Sequence, residues 1–572
     1  MESPKKSVLP QRLITALVLS AAALLYWPSI SGTPFYTKGE PREAIVVQAI
    51  IDTGEFILPL RNGNEIPSKP PLFHWLGALV SAAEGTVDEA TVRLPSLLAS
   101  LSALYLVLAV GAALYGRLEG LLAAAVLATS VQWLASSTTA RVDMVLAASL
   151  TGALCAAWQA IRDGGTRLPA AFFACSSLAV LAKGPVGYVL PALIVAVHVA
   201  VSRDRRLLAM LRPPRAAWLW LLPVLWYAAA AAVGGRPFID KLLLKENLYR
   251  VLDPDAVSAG HVHGALYYLP ALLGGLAPWS LLAPWVGTEL WRKRPPHTLF
   301  PLVWFLVTIG FYSLAGSKRG VYLLSAYPAA AWLIGRWLAG WLRESRPLRR
   351  PAARTVATVL AIPALVASAL AAGLPVSGAL GPLLSSGDAA NLAAIARAAA
   401  ARPAPIFLAS LLAVVLAVAT GRALAAGARR PALGCIFAFV LATELVLGST
   451  AHRALAVSQS VGPMISSLRQ RMANEGRLYF YRDFEYAAVF YARRPIPRVE
   501  RFEEVETTPE AWLLLREPDM PRLAEEVAAA AARRGTRLVV ERAARFDYNG
   551  NPRRAALIAV RVTDTRDNEQ PG

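Results

Sequence analysis

The stretch Leu94–Leu114 reads LPSLLASLSALYLVLAVGAAL and decides the class of fold. It holds no charged residue over 21 consecutive positions. The hydrocarbon core of a bilayer needs about 20 apolar residues in a helix, so this stretch predicts a membrane-spanning helix. Working outward, the same criterion selects twelve further segments, and we predict about 13 transmembrane helices. The others are Leu13–Ile30, Leu118–Ser136, Met144–Ile161, Leu168–Ala182, Val186–Val201, Ala216–Val233, Leu266–Trp285, Leu299–Leu314, Val321–Leu342, Thr355–Leu374, Ile406–Leu424 and Leu433–Leu447.

The composition excludes other classes of protein. Of the 572 residues, 56% are hydrophobic and 17% are charged, against roughly 25% charged in an ordinary soluble domain. A soluble fold cannot hide so much apolar surface. The high hydrophobicity and the 15 Trp, 17 Tyr and 17 Phe exclude a disordered chain. Cys155, Cys175 and Cys435 all lie in apolar runs, which excludes a disulfide scaffold. An α-helical polytopic membrane protein remains.

In a membrane protein, a net charge of +20 first provides information about topology. Short basic loops such as Arg203–Arg215 and Arg292–Arg294 alternate along the chain with less basic ones, as the positive-inside rule expects. We therefore place the N-terminus inside, predict no nucleic-acid partner, and keep the first span as an anchor. An odd number of spans puts the tail outside. This depends on two divisions between apolar runs, at Lys183–Pro185 and Ser317–Gly320.

The segments outside the spans predict two domains, a transmembrane domain over 1–450 and a small α/β domain over 451–572. The first outside loop covers residues 31–93, and we expect its amphipathic part, Glu43–Phe56, to lie in the membrane interface with Glu43 pointing to water. A second outside loop is expected over Gly234–Ala265. An Ala-rich helix is expected at Ala389–Ala401. In the tail we predict one helix, stopped by Gly535, and four strands. The helix is Pro521–Arg534, and the strands are Leu478–Tyr481, Trp512–Leu515, Leu538–Val540 and Ala556–Val562.

Polar residues at membrane level are costly and usually functional, and here they converge on the predicted outer face. The candidates are Glu40, Arg42, Glu43, Lys69, Asp143, Lys183, Glu246, His261, His263, Lys318 and Arg319. Glu40 and Asp143 are suited to general-base chemistry, and the lysines and arginines to holding a phosphate leaving group. Each residue also has an ordinary structural interpretation. A lysine can snorkel to lipid headgroups, Asp143 can cap a helix, and the two histidines can make hydrogen bonds instead of binding a metal.

Several short motifs occur in a fixed order along the first 342 residues. They are Gly39–Ala44 (GEPREA), Gly54–Gly63 (GEFILPLRNG), Ser68–Trp75 (SKPPLFHW), Arg93–Ser96 (RLPS), Ala140–Met144 (ARVDM), Leu181–Pro185 (LAKGP), Glu246-Asn247, Tyr267–Pro270 with Pro278–Ser280, and Ser317–Tyr322 (SKRGVY) with Tyr327-Pro328. Together they resemble the aminoarabinose (lipid A) transferases and the protein O-mannosyltransferase-like glycosyltransferases.

The resemblance implies a GT-C fold with a periplasmic C-terminal domain and a polyprenyl-phosphate sugar donor. It also implies a catalytic carboxylate in the first loop. The family often has Asp-Glu at this point, whereas this chain has Gly39-Glu40. Glu40 and Asp143 are therefore the expected catalytic acids. The expected substrate-binding residues are Arg42, Lys69, Lys183, Glu246, His261, His263, Lys318, Arg319 and Tyr322.

We expect a glycosyltransferase of the bacterial inner membrane, with its site and its C-terminal domain on the periplasmic side. Its partners would be an undecaprenyl-phosphate-linked sugar, membrane lipids, and an acceptor that is lipid A, another envelope glycan or a protein. The cations can stabilise the leaving phosphate, so we expect no cofactor and no obligatory metal. The alternatives are a protein O-glycosyltransferase, a transporter of lipid-linked sugars, and a non-catalytic scaffold. A transporter would favour charges near the midplane and paired repeats, and the sequence shows neither.

Overall fold

A computed structural model describes residues 10–165, 167–211, 215–249, 264–293, 297–344, 349–375, 378, 384, 386–444, 449–472, 476–507, 510–548 and 554–564. Helices dominate the first 471 residues. They are α1 Gln11–Ile30, α2 Glu40–Thr53, α3 Leu72–Glu84, α4 Glu89–Tyr115, α5 Arg117–Ala128, α6 Val131–Ser137, α7 Val142–Arg162, α8 Ala170–Lys183, α9 Val186–Ser202, α10 Leu221–Phe238, α11 Tyr268–Gly275, α12 Ala283–Lys293, α13 Leu299–Leu314, α14 Tyr327–Arg343, α15 Arg350–Ala371, α16 Ser386–Ala401, α17 Pro403–Ala425, α18 Arg429–Thr443, α19 Ser449–Gln459 and α20 Gly462–Arg471.

Each predicted span coincides with helical structure, and the Ala-rich helix is present as α16. Within the described residues, six helices are long and apolar enough to cross a bilayer, or eight if each of two bent pairs is one span. The bends are 68° between α5 and α6 and 108° between α11 and the segment Trp279–Lys293. Three further apolar helices, α8, α9 and α13, are shorter. The count of 13 therefore stays a prediction.

Both divisions on which the topology depends are present. Helix α8 ends at Lys183, Gly184 adopts a φ of 98° that favours glycine, and α9 begins after Pro185. Helix α13 ends at Leu314, and a short 3₁₀ segment begins only at Gly320. A correction concerns the loop expected after Val233. The chain stays helical there, with a kink at Gly235 and a π-helical turn over Ile239–Tyr249.

The first loop folds back onto the protein, and the position of Glu43–Phe56 in the membrane interface stays a prediction. Helix α2 begins with Glu40 and Pro41 and ends at Gly54, whose φ is 70°. Ala44, Val46, Val47 and Ile50 on α2 are buried, and α2 packs against α3, α4 and the tail. Most of its apolar side is used for packing inside the protein, whereas Ile51 and Phe56 are exposed.

The tail is a small α/β domain, as the sequence predicts. Its strands are β1 Arg477–Tyr481, β2 Arg498–Val499, β3 Glu510–Arg516, β4 Leu538–Phe546 and β5 Leu557–Asp564, and its helices are α21 Tyr486–Ala492 and α22 Met520–Arg534. The strand order is β2-β1-β3-β5-β4, with β1 parallel to β2 and β3 and the remaining pairs antiparallel. Helix α22 ends at Gly535, which has a φ of 59°. Strand β2 is too short to leave a sequence pattern.

The tail is docked on the first loop through polar contacts. The side chain of Asn62 donates to the carbonyl oxygen of Ile496 at 2.9 Å, and its Oδ1 accepts from the Ile496 amide at 2.7 Å. The Tyr491 hydroxyl donates to Glu89 at 2.7 Å and accepts from the Phe35 amide at 2.8 Å. These contacts hold the domain over the end of the helical bundle that carries the polar residues singled out above.

Candidate active site

A buried ion pair lies at the base of the site. Glu40, in the first turn of α2, is 0% exposed, and its Oε1 accepts from Nε of Arg93 at 2.7 Å. Arg93 also donates to the carbonyl oxygens of Ile30 and Thr33 at 3.1 and 2.8 Å. The same Glu40 oxygen accepts from the amide of Ala140 at 3.2 Å, and Oε2 accepts from Thr37 at 3.2 Å. The pair thereby connects the end of α1, the start of α2, α4 and the segment before α7.

This environment differs from the one expected of a general base. Both carboxylate oxygens of Glu40 are occupied, and the side chain is enclosed by protein. A base must come within hydrogen-bond reach of the proton it removes, and Glu40 faces no open space. The geometry favours a positioning role, because the Ala140 amide that Glu40 holds lies three residues before Asp143.

A second ion pair joins an acid at the start of one helix to a lysine at the end of another, and the sequence singles out both residues. Asp143 lies in the first turn of α7 and Lys183 in the last turn of α8, and their side chains form a salt bridge. Both positions suit the helix dipoles, since an acid is favoured at an N-terminus and a cation at a C-terminus. Lys183 Nζ lies 4.0 Å from the centre of the Tyr322 ring, a cation–π contact. Thus residues as far apart in sequence as Asp143 and Tyr322 meet at one place.

The third pair is formed by Lys69 and Glu246, whose Nζ and Oε2 atoms are 2.7 Å apart. Their side chains are 11% and 18% exposed, so the pair is partly open to solvent. Pro70 and Pro71 follow Lys69 and hold it just before α3 begins at Leu72. Glu246 reaches it from the π-helical turn that extends α10. The sequence motif before the two prolines therefore meets the motif after the seventh predicted span.

Arg42 and Glu43 also form part of a buried network. Arg42 donates to Oε1 of Glu43 at 2.8 Å, and Oε2 of Glu43 lies 2.8 Å from Nε2 of His74. The expectation that Glu43 points to water is wrong, since it is 4% exposed. Burial alone would raise the pKa of the Glu43 carboxyl, but Arg42 and His74 outweigh it and hold that pKa well below its usual range. Glu43 is therefore ionised at neutral pH.

Two cations lie on the turn that leads to Tyr322. Lys318 is buried, 7% exposed, and its Nζ donates to the Ala315 carbonyl at 2.9 Å. Nε of Arg319 is buried and has no hydrogen-bond acceptor among the described residues. Buried donors in native proteins are normally satisfied by protein, water or ligand. This turn can therefore offer positive charge to an anion.

The structure brings together most of the predicted site residues. Asp143, Lys183 and Tyr322 meet, Lys69 meets Glu246, and Lys318 and Arg319 adjoin Tyr322 in sequence. His261 and His263 lie outside the described residues. In the part of the chain that is described, no group of three or more His, Cys, Asp or Glu side chains could hold a metal. Independence of metal stays a prediction.

The sequence alone assigns no site role to Arg93, His74 or Arg141. Arg93 was visible as a lone charge directly before the apolar run of α4, inside a family motif, but only the fold shows that it meets Glu40. No ligand-like spacing surrounds His74 in the sequence, and its partner Glu43 comes from another helix. Arg141 lies two residues before Asp143 and against Gly39.

The amino-acid sequence is similar to those of known sugar transferases. Residues 68–230 match the family described as "Dolichyl-phosphate-mannose-protein mannosyltransferase". The chain is 26% identical over 323 residues to the "Undecaprenyl phosphate-alpha-4-amino-4-deoxy-L-arabinose arabinosyl transferase 2" of Sodalis glossinidius, covering 55% of this chain and 58% of that protein. It is 27% identical over 345 residues to the corresponding transferase of Pseudomonas aeruginosa, covering 58% of this chain and 61% of that one.

The fold is that of a solved structure. ArnT from Cupriavidus metallidurans bound to undecaprenyl phosphate superposes with a TM-score of 0.75 at 19% identity, over 96% of this chain and 97% of that one. Its apo state gives a TM-score of 0.73. In sequence, by contrast, the chain spans about three-fifths of the length of the curated relatives it matches, 62% and 58% for two of them. The chain is therefore similar in fold to this solved transferase, and similar in sequence to aminoarabinose transferases and, over residues 68–230, to the mannosyltransferase family.

Proposed function

We propose that the protein transfers a sugar from an undecaprenyl-phosphate-linked donor to lipid A or another envelope glycan. The observation that carries this is the meeting of Asp143, Lys183 and Tyr322 beside the basic turn of Lys318 and Arg319. A glycosyl transfer from a lipid phosphate needs a base near the acceptor and positive charge near the leaving phosphate. The names of the relatives support the same donor and reaction.

In the proposed reaction, an oxygen of the acceptor attacks the anomeric carbon of the donor sugar. The bond between that carbon and the phosphate oxygen breaks, and its electron pair leaves with undecaprenyl phosphate. Asp143 takes the proton from the acceptor when the acceptor is a hydroxyl. Lys183, Lys318 and Arg319 neutralise the charge that develops on the phosphate, which is the kind of electrostatic stabilisation that accelerates such steps most.

The salt bridge between Asp143 and Lys183 has a consequence for the order of events. While the two side chains are paired, each blocks the other, since the carboxylate is occupied and the ammonium is neutralised. A donor phosphate that binds Lys183 draws it away from Asp143 and leaves the carboxylate able to accept a proton. Donor binding thereby prepares the base. Lys69, paired with Glu246, serves as a second phosphate contact.

Glu40 takes a positioning role in this proposal. Its contact with the Ala140 amide fixes the segment that leads into Asp143, and its pair with Arg93 fixes Glu40 itself. We place the site and the tail on the periplasmic side of the inner membrane, because the basic loops of the sequence lie on the opposite side.

Turnover in proteoliposomes tests the proposal. The full chain would be supplied with undecaprenyl phosphate carrying radiolabelled aminoarabinose on one side and lipid A as acceptor. We expect label to move to lipid A in the presence of a chelator, and Asp143→Asn to lower the rate about 100- to 10,000-fold. Asp163→Asn is the matched control, since Asp163 is an exposed residue just after the other end of α7. Full activity of Asp143→Asn would refute its role as the base.

A protein acceptor is the second candidate. It is favoured by the family match over residues 68–230, whose description names a protein mannosyltransferase. The same proteoliposomes, supplied with envelope protein instead of lipid A, distinguish the two. Label in protein and none in lipid A would select this alternative. Movement of the labelled donor across the bilayer without any transfer would instead indicate a transporter.

A further inference from the structure

Arg141 occupies an unusual place beside the site. It lies immediately before α7, two residues before Asp143. A Cβ atom built on Gly39 would lie 3.1 Å from both Cζ and Nη2 of Arg141 and 3.3 Å from Nη1. Three nearly equal distances mean that the guanidinium turns its flat face to Gly39. Its edges, which carry the N–H donors, therefore point away from the glycine.

The side chain of Arg141 makes no hydrogen bond and no salt bridge within the described part of the chain. Its backbone is held, because its amide and carbonyl both lie 3.4 Å from the Ser96 hydroxyl. Two acids of the site are already engaged, Glu40 by Arg93 and Asp143 by Lys183. Arg141 is half-buried and these acids are already paired, so its guanidinium N–H groups are available to a ligand.

Arg141 and Lys183 approach Asp143 from different neighbourhoods. Lys183 lies over the ring of Tyr322, on the side of the basic turn. Arg141 lies against Gly39, and its charge also acts on Tyr36. Burial and the neighbouring charge of Glu40 raise the pKa of the Tyr36 hydroxyl to about 12, although Arg93 and Arg141 act to lower it. Tyr36 therefore stays protonated and uncharged at neutral pH, so it does not compete as an anion for Arg141.

We propose that Arg141 binds a phosphate group of the substrates and that glycine at position 39 keeps it available to do so. This deepens the proposed function and rests on it. A guanidinium offers a planar fork of donors that fits phosphate in a bidentate way, which a lysine cannot do. A methyl group at position 39 would displace the guanidinium by only a few tenths of an ångström, whereas an aspartate there would pair with it. Gly39 thus sets the charge that this part of the site presents.

The test combines substitutions at both positions. Binding of undecaprenyl phosphate to the purified full chain in detergent would be measured for the wild type, Arg141→Gln, Gly39→Asp and the double variant. We expect each single variant to weaken binding about 10- to 100-fold. The double variant should bind no more weakly than Arg141→Gln, because the aspartate acts only by neutralising Arg141. Gly39→Ala should bind nearly as the wild type does, since the far end of a flexible side chain can shift by a few tenths of an ångström.

Two further variants test whether a loss of binding reflects misfolding or an unspecific change of charge. Arg141→Lys keeps the charge and the fold but loses the fork, so its affinity should fall between those of the wild type and Arg141→Gln. Arg162→Gln removes a solvent-exposed cation at the other end of α7 and should leave binding unchanged. Thermal unfolding of each variant identifies any that fail to fold.

The phosphate could belong to the donor or to the acceptor, and a second measurement separates them. If Arg141 meets the donor, undecaprenyl phosphate affinity falls as stated. If it meets the acceptor, that affinity is unchanged and the KM for lipid A rises about 10-fold or more, while the KM for enzymatically dephosphorylated lipid A does not. Unchanged donor affinity together with an unchanged KM for both acceptors would overturn the proposal for Arg141 alone. A wild-type chain that neither binds undecaprenyl phosphate nor transfers sugar would overturn the proposed function as well.

Discussion

Replacing Glu40 with glutamine separates a positioning role from a catalytic one. Glutamine has almost the same shape, and its oxygen can still accept from Arg93 and from the Ala140 amide. What it loses is the negative charge that balances Arg93. Both side chains are at most 1% exposed, so water cannot supply the missing charge.

The distances give the scale of the effect. Nε of Arg93 and Oε1 of Glu40 are 2.7 Å apart, which places the centres of charge about 4 Å apart. Two unit charges at that distance attract by about 4 kcal/mol at an effective dielectric constant of 20. Removing one partner of a buried ion pair costs about 3–5 kcal/mol. Because the hydrogen bonds persist, we expect Glu40→Gln to lower the free energy of unfolding by about 3 kcal/mol.

The assay is unfolding of the detergent-solubilised protein, measured together with turnover. Glu40→Gln should unfold at a clearly lower temperature than the wild type, and below that temperature it should keep part of its activity. Arg93→Met should be similarly unstable. The double variant should be more stable than either single variant, because no uncompensated charge remains buried.

An opposite pattern would refute this reasoning. If Glu40→Gln unfolds like the wild type while turnover falls 1000-fold or more, then Glu40 is a base that its partners release during the reaction. Retained binding of undecaprenyl phosphate by such a variant would strengthen that conclusion.

Further predictions concern topology, stability, the donor contact and the docked tail. A reporter that is active only in the periplasm should be active when fused after Gly572, and activity from a cytoplasmic reporter alone would contradict the inferred orientation. Glu43→Gln should destabilise the protein at neutral pH, because Arg42 and His74 lose their charged partner; since the folded-state pKa is depressed, the deficit should shrink as the pH falls below the ordinary carboxyl range. Lys69→Ala should slow transfer about 30- to 1000-fold without unfolding the chain, and near-normal turnover would reduce it to a headgroup anchor. Asn62→Ala should make proteolysis of the tail faster, because both hydrogen bonds to Ile496 are lost.

The sequence predicts well what depends on local pattern. Apolar length located helices at every predicted span, and the helix ending at Gly535 followed from an amphipathic run and a glycine stop. Four of the five strands were visible as alternating or apolar runs, whereas β2 has only two residues. Family motifs then indicated which polar residues converge, including Lys69 and Glu246 from distant parts of the chain.

The sequence predicts poorly what depends on the partner of a residue. Glu40 and Glu43 lie on the same short helix and were expected to differ, one facing substrate and the other facing water. Both are buried, because Arg93 from α4 and His74 from α3 supply charge and hydrogen bonds from elsewhere in the fold. Hydropathy assigns an acid to a polar surface, because it holds no information about a buried cation that comes from another helix.

The docking of the tail on the first loop determines whether the number of membrane crossings between these two segments is even or odd. Asn62 lies between α2 and α3, Ile496 lies in the tail, and their two hydrogen bonds require both segments to be on the same side of the bilayer. The chain between them must then cross the membrane an even number of times, whichever side that is. Whether each bent or short helix pair counts as one crossing or as two, the total number of crossings between loop and tail can change only in steps of two. If the chain gained or lost a single crossing at Lys183 or at Lys318, the tail and the loop would lie on opposite sides of the bilayer and could not form these hydrogen bonds.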